Sequence, residues 1–207
     1  MLKIFGMANS RSMRVVWALE EIGAEYEYVK IDLFKGDGRS PAYLAINPAG
    51  KVPVLVDGDF TLTESVAILN YLGEKFPASG LVPALDKLQA RGEFHRWCCF
   101  VLSELEQPLW NIAKHRFVLP QDRRVPAMLV TAEWEFGVAA QVLAGHLQGR
   151  DYAMGGCFSA ADILIAHTLS WARSARIALP DPVLVAYTDR MLTRPALVRA
   201  RERESRA

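Results

Sequence analysis

Asn47-Pro48-Ala49-Gly50-Lys51-Val52-Pro53-Val54-Leu55 decides how this chain is read, because it sets a proline where a strand should begin. Proline cannot donate to a β-ladder, so the backbone at Val52-Pro53 must serve a local purpose. A cis bond before proline costs only about 0.5–1 kcal/mol over trans, and it would turn the Val52 amide and carbonyl outward to pair with an extended peptide. An ordinary edge-strand proline is the plainer alternative. Eleven residues later, Glu64-Ser65 opens an apolar-periodic helix. Acid and hydroxyl serve there as helix caps, and they also suit a zwitterion: Ser65 and the helix dipole hold a carboxylate while Glu64 receives an ammonium.

Working outward, Leu2 to Gly6 has the pattern of a short buried strand, and Met13 to Ile22 repeats Val15, Val16, Leu19 and Ile22 at helical spacing before Gly23 closes the helix. Tyr26 to Ile31 alternates at period two, so strand, helix and strand form a βαβ opening with parallel strands. Pro41 to Ala45 fits a short helix. Asp57-Gly58-Asp59 then turns Val54-Val56 back on Phe60-Leu62, and a helix over 64–75 completes the order βαβαββα. Phe76-Pro77-Ala78-Ser79-Gly80 breaks that helix. Beyond it only helical periods follow, around 87–115, 123–147, 159–173 and 182–193, so a mixed domain at 1–78 precedes an all-helical one at 87–207. The Arg-rich end, Arg199 to Arg206, is expected to fray in solvent.

Of the 207 residues, 51% are hydrophobic and 23% charged, enough apolar content for a buried core. Lys plus Arg is 24 against 23 for Asp plus Glu, a balance that offers nothing to nucleic acid or an anionic membrane. No apolar run approaches the roughly 20 residues that span a bilayer, and the chain opens directly into a strand. Cys98, Cys99 and Cys157 show neither a Cys-x-x-Cys pair nor a zinc spacing. His95 beside Cys98 and Cys99 lacks a second ligand cluster, so no metal is expected and a reducing cytoplasm is the expected location.

Asn47-Pro48-x-Gly50-Lys51-Val52-Pro53-Val54-Leu55, followed by Thr63-Glu64-Ser65-x-Ala67-Ile68, resembles the glutathione-binding core of cytosolic glutathione transferases. Cys157-Phe158-Ser159-Ala160-Ala161-Asp162-Ile163 also resembles that family's capping box in the second domain. On its own terms the box is a folding device, with Ser159 as N-cap, Asp162 three residues on, and Phe158 against Ile163 as a staple. The resemblance implies a thioredoxin-like βαβαββα domain, an all-helical domain forming the electrophile pocket, glutathione as co-substrate and a symmetric homodimer. It implies that Val52 pairs with the cysteinyl unit, that Pro53 is cis, and that Glu64 and Ser65 take the γ-glutamyl end. Lys51, with Arg39 as a second cation, would lie near the glycyl carboxylate.

The family's chemistry starts from a thiol with a free pKa near 8.5, and lowering it by about two units takes roughly 2.7 kcal/mol, within reach of one donor plus a helix N-terminus. Asn9-Ser10-Arg11-Ser12 sits at such a place. Ser10 matches the activating serine of theta-like and delta-like members, Asn9 falls where phi-like and tau-like members place theirs, and Ser12 is third. Any of the three can instead cap the helix. No tyrosine or cysteine stands in this loop, which argues against alpha, mu or pi-type activation and against mixed-disulfide chemistry. Met7 and Ala8, with Trp110, His115, Arg116 and Phe117, are candidates for the pocket of a small hydrophobic electrophile. The leading expectation is conjugation of the glutathione thiolate. Isomerisation, dehalogenation, peroxide reduction and a non-catalytic carrier are the alternatives on the same fold.

Overall fold

The computed structural model describes residues 1–206 and divides into two compact units. The first holds residues 1–84 together with the segment from Thr193 onward, and the second is Leu85–Leu192.

In the first unit, β1 (Leu2–Gly6), α1 (Ser12–Ile22) and β2 (Tyr26–Lys30) form the βαβ opening, with β1 and β2 parallel and Ile4 opposite Tyr28. Gly23 ends α1 at φ 74°, a left-handed conformation that glycine adopts without a Cβ penalty, and its N–H bonds Leu19 O at 2.9 Å. After α2 (Pro41–Ile46) come β3 (Val54–Asp57), β4 (Phe60–Thr63) and α3 (Ser65–Lys75). The sheet order is β2-β1-β3-β4, and Asp57 pairs with Phe60 across the two-residue turn. Strand β3 starts only after Pro53, which keeps the missing N–H out of the ladder. Ile4, Val54, Leu55, Val15, Val16, Leu19, Ile68, Leu69 and Leu72 are fully buried in this unit.

The Arg-rich end departs from the expectation of a frayed tail and of membership in the helical domain. It forms α9 (Pro195–Arg206), packed on α1 in the first unit. Ala196, Leu197, Ala200 and Glu204 recur at helical spacing and are buried, while Arg194 pairs with Glu21 at 2.6 Å and Arg199 with Glu20 at 3.1 Å. Burying this apolar stripe outweighs fraying; charge content alone had suggested the opposite.

The second unit is helical throughout its described elements. Helix α4 (Leu88–Phe100) runs through a π-helical stretch, Val101–Glu106, into α5 (Gln107–Ala113), followed by a second π-helical stretch at Lys114–Val118. Then come α6 (Ala127–Leu147), α7 (Ala160–Ser174) and α8 (Pro182–Leu192). Helix α7 is deeply buried, with Ile163, Leu164, Ile165, Ala166 and Leu169 fully buried. Its start is the expected capping box: the Ser159 side chain accepts from the Asp162 N–H, and Asp162 Oδ2 accepts from Ser159 N at 2.8 Å. Phe158 sets its ring edge against Tyr152, with centroids 5.8 Å apart.

Candidate functional site

The decisive loop is fixed from below. Tyr43 OH donates to Lys51 O at 2.6 Å and Asn47 Nδ2 donates to the same carbonyl at 2.8 Å, while Asn47 Oδ1 accepts from Ala49 N. Both side chains are buried, and burial pushes the Tyr43 phenol up to about 12, so it stays a donor at every ordinary pH. Sequence reading missed both residues as supports. Asn47 was visible in the quoted stretch, but its target carbonyl was not.

The Val52–Pro53 peptide is cis. Val52 lies outside the β3 ladder, and its backbone forms no hydrogen bond with a described residue. Gly50 (φ 64°) lies against Gly38: a Cβ built on Gly50 would fall 2.4 Å from Gly38 O and 3.2 Å from an Arg39 guanidinium nitrogen. That close approach brings Arg39 beside the loop carrying Lys51. Both cations are exposed, and neither has an ion pair with a described residue.

At the start of α3, neither Glu64 nor Ser65 acts as a side-chain cap. Glu64 is held at φ 66°, ψ 114° with its carboxylate exposed, a backbone state that costs a non-glycine residue on the order of 1 kcal/mol. Ser65 is 5% exposed, and its Oγ accepts from Arg14 Nη1 at 3.3 Å. Because the oxygen accepts, the hydroxyl hydrogen is left to donate. Arg14, completely buried in α1, is the third residue that sequence reading missed; an arginine on an apolar helix face was the available signal.

Helix α1 likewise begins without a side-chain cap at its N-cap residue. Ser10 Oγ donates to Met7 O at 2.6 Å and accepts from Ser12 N at 3.1 Å, and it lies 2.9 Å from Ser12 Oγ, which in turn accepts from Met7 N at 3.2 Å. Ser12 is fully buried, which removes it from the candidates able to touch a ligand. Asn9 sits at φ 57°, exposed, and its side chain forms no hydrogen bond with a described residue. Met7 is half-buried and Ala8 exposed beside it.

Of the helical-unit candidates, Arg116 and Phe117 line one cavity of about 340 Å³, together with Leu109, Ile112, Trp171 and Arg176. Trp110 is not in its lining; its ring lies 6.5 Å from that of Trp171. His115 turns away, its Nδ1 accepting from Val125 N at 3.1 Å. No group of three or more potential metal ligands occurs among the described residues, and no described helix is long and apolar enough to cross a membrane. Cys98 is buried, and burial raises its thiol to about 12.

A four-stranded mixed sheet with a cis proline just before β3 and a following helical unit define a glutathione transferase fold. The family description "Glutathione S-transferase, N-terminal domain" matches residues 1–74, and "Glutathione S-transferase, C-terminal domain" matches residues 111–195. The chain belongs to the glutathione S-transferase family and is an enzyme of that family. Glutathione S-transferase F10 of Arabidopsis thaliana is 32% identical over 167 residues, covering 78% of this chain and 76% of the relative. Glutathione S-transferase 1 of Dianthus caryophyllus is 36% identical over 161 residues, covering 76% and 71%. A sphingomonad glutathione S-transferase solved in complex with glutathione superposes with a TM-score of 0.86 at 33% identity, covering 99% of this chain and 100% of that one.

Proposed function

We propose that the enzyme joins the thiolate of glutathione to a small hydrophobic electrophile. The observation carrying this reading is the uncapped start of α3 at Glu64–Ser65, in the same unit as a loop whose Val52 backbone is open for pairing. In this reading Val52 pairs with the cysteinyl unit, Ser65 donates to the γ-glutamyl carboxylate, Glu64 receives the ammonium, and Lys51 and Arg39 draw the glycyl carboxylate. Oriented binding plus thiol deprotonation supplies the rate, and no covalent enzyme intermediate is needed. The complex of the sphingomonad relative with glutathione supports the choice of co-substrate.

Asn9 is assigned as the donor to sulfur, and Ser10 as the residue that holds the loop in place. Ser10 spends its hydrogen on Met7 O, whereas the Asn9 amide is uncommitted and raised into the open by its left-handed backbone. The electrophile is assigned to the cavity lined by Arg116 and Phe117. A homodimer is proposed with the family, testable by light scattering. A reducing cytoplasm is proposed for three cysteines that are all free thiols.

Calorimetric titration with glutathione and a thiol-conjugation assay test the assignment. Asn9→Ala is expected to raise the pKa of bound thiol by about one unit and lower kcat/KM at neutral pH roughly tenfold, with Ser10→Ala costing less. Equal losses, or a larger loss for Ser10→Ala, return the donor role to Ser10. Tight glutathione binding without turnover on any electrophile would identify a carrier instead.

A further inference from the structure

The end of α7 carries a cation in a costly place. Ala175 N bonds Trp171 O at 2.9 Å, Arg176 N bonds Arg173 O at 3.0 Å and Ile177 N bonds Ala172 O at 2.9 Å, the pattern of a helix closed by one left-handed residue. That residue is Arg176, at φ 61°, where glycine is usual and a Cβ costs on the order of 1 kcal/mol. Arg176 lines the cavity of about 340 Å³, and so does Arg116, whose Nη1 donates to Ala175 O at 3.1 Å. No acidic residue lines this cavity, and neither arginine has an ion pair with a described residue. Arg173 nearby shows the contrast, being neutralised by Asp189 at 2.6 Å. The remaining walls are apolar or aromatic, chiefly Leu109, Ile112, Phe117 and Trp171.

We propose that this cavity takes a flat apolar acid, an aryl or alkenyl carboxylate, with the anion drawn by Arg116 and Arg176 and the body against Phe117 and Trp171. Two arginines without a counter-ion lining one cavity favour a planar carboxylate that can accept paired N–H bonds, while the apolar walls select against small hydrated anions. The inference rests on the reading of this cavity as the second-substrate site, and it narrows that substrate to an electrophile bearing an anionic group.

Binding of unreactive 2-naphthoate and its neutral isostere 2-naphthamide, measured by calorimetry without glutathione, tests the cleft separately from the chemistry. The wild type is expected to bind the acid roughly tenfold tighter than the amide, and Arg176→Gly and Arg116→Met are each expected to bring that ratio close to one. Arg176→Gly relieves the strained backbone, so a merely structural role for Arg176 predicts equal or greater stability with the ratio intact. No preference for the acid, no binding of either probe, or an unchanged ratio in Arg176→Gly overturns the proposal. The catalytic arm compares kcat/KM for 4-chloro-3,5-dinitrobenzoate and the corresponding benzamide with glutathione, where the same variants are expected to erase the preference for the acid. If neither is conjugated while the naphthoate preference holds, the conjugation reading fails and the anion cleft stands.

Discussion

Two kinds of helix start stand side by side in this molecule. At α7 everything is satisfied internally: Asp162 accepts from Ala153 N and Tyr187 OH at 2.7 Å each on Oδ1, and from Ser159 N and Ser159 Oγ on Oδ2. At α3 no side chain caps the helix and Ser65 keeps a donor in reserve, while at α1 Ser10 Oγ accepts from Ser12 N. A helix start that consumes its own polar groups is a folding element, and one that leaves amides and dipole exposed is prepared for an anion. The same contrast separates two buried acids. Asp162 has four donors, whereas Glu204 in α9 has only Tyr28 OH at 3.5 Å and a buried Oε2 without a partner.

Breaking the closed side of this comparison gives the largest effect. Asp162→Ala leaves four donors without their acceptor and is expected to cost about 3–5 kcal/mol, read from the midpoint of denaturant unfolding. A loss under about 1 kcal/mol would remove the network from its assigned role.

The second test concerns Glu204, whose carboxyl is raised by burial from its ordinary 4.5 to about 8. Between those values the folded chain keeps a proton that the unfolded chain releases, so stability falls as pH rises from about 4.5 and levels off above about 8. Glu204→Gln is expected to abolish that slope and gain on the order of 2 kcal/mol at pH 8, a melting rise of several degrees, with no gain at pH 4.5. Parallel pH profiles for the two proteins would show that α9 tolerates the charge.

The smallest effect sharpens the open side. Ser65→Ala is expected to weaken glutathione binding roughly tenfold while costing only about 1 kcal/mol of stability, because Arg14 loses one acceptor. Unchanged glutathione affinity would make Ser65 a packing residue like Ser12.

Much of the fold was legible because its signals are local. Period-two strands, the Asp57-Gly58-Asp59 turn, Gly23 and the Ser159–Asp162 box each draw their energy from residues within a few positions of one another. The cis proline before β3 was legible in the same way, through Pro53 and its immediate neighbours. The inward turn of Ser10 was not, since a hydroxyl's choice between Met7 O and a ligand depends on backbone placement. Nor was the fate of 199–206, where the run of arginines suggested solvent and the buried Ala196, Leu197 and Ala200 were outvoted.

By itself the sequence determined the strand and helix order, the stopped helices and the identity of the loop that presents Val52, because these follow from backbone chemistry over short spans. Only tertiary structure decided that α9 returns to α1, that Arg14 of α1 supports Ser65 of α3, and that Arg116 and Arg176 share one cavity. Those pairings join residues far apart in the chain, and no propensity or spacing encodes which distant partner buries an apolar stripe or leaves a charge without a counter-ion.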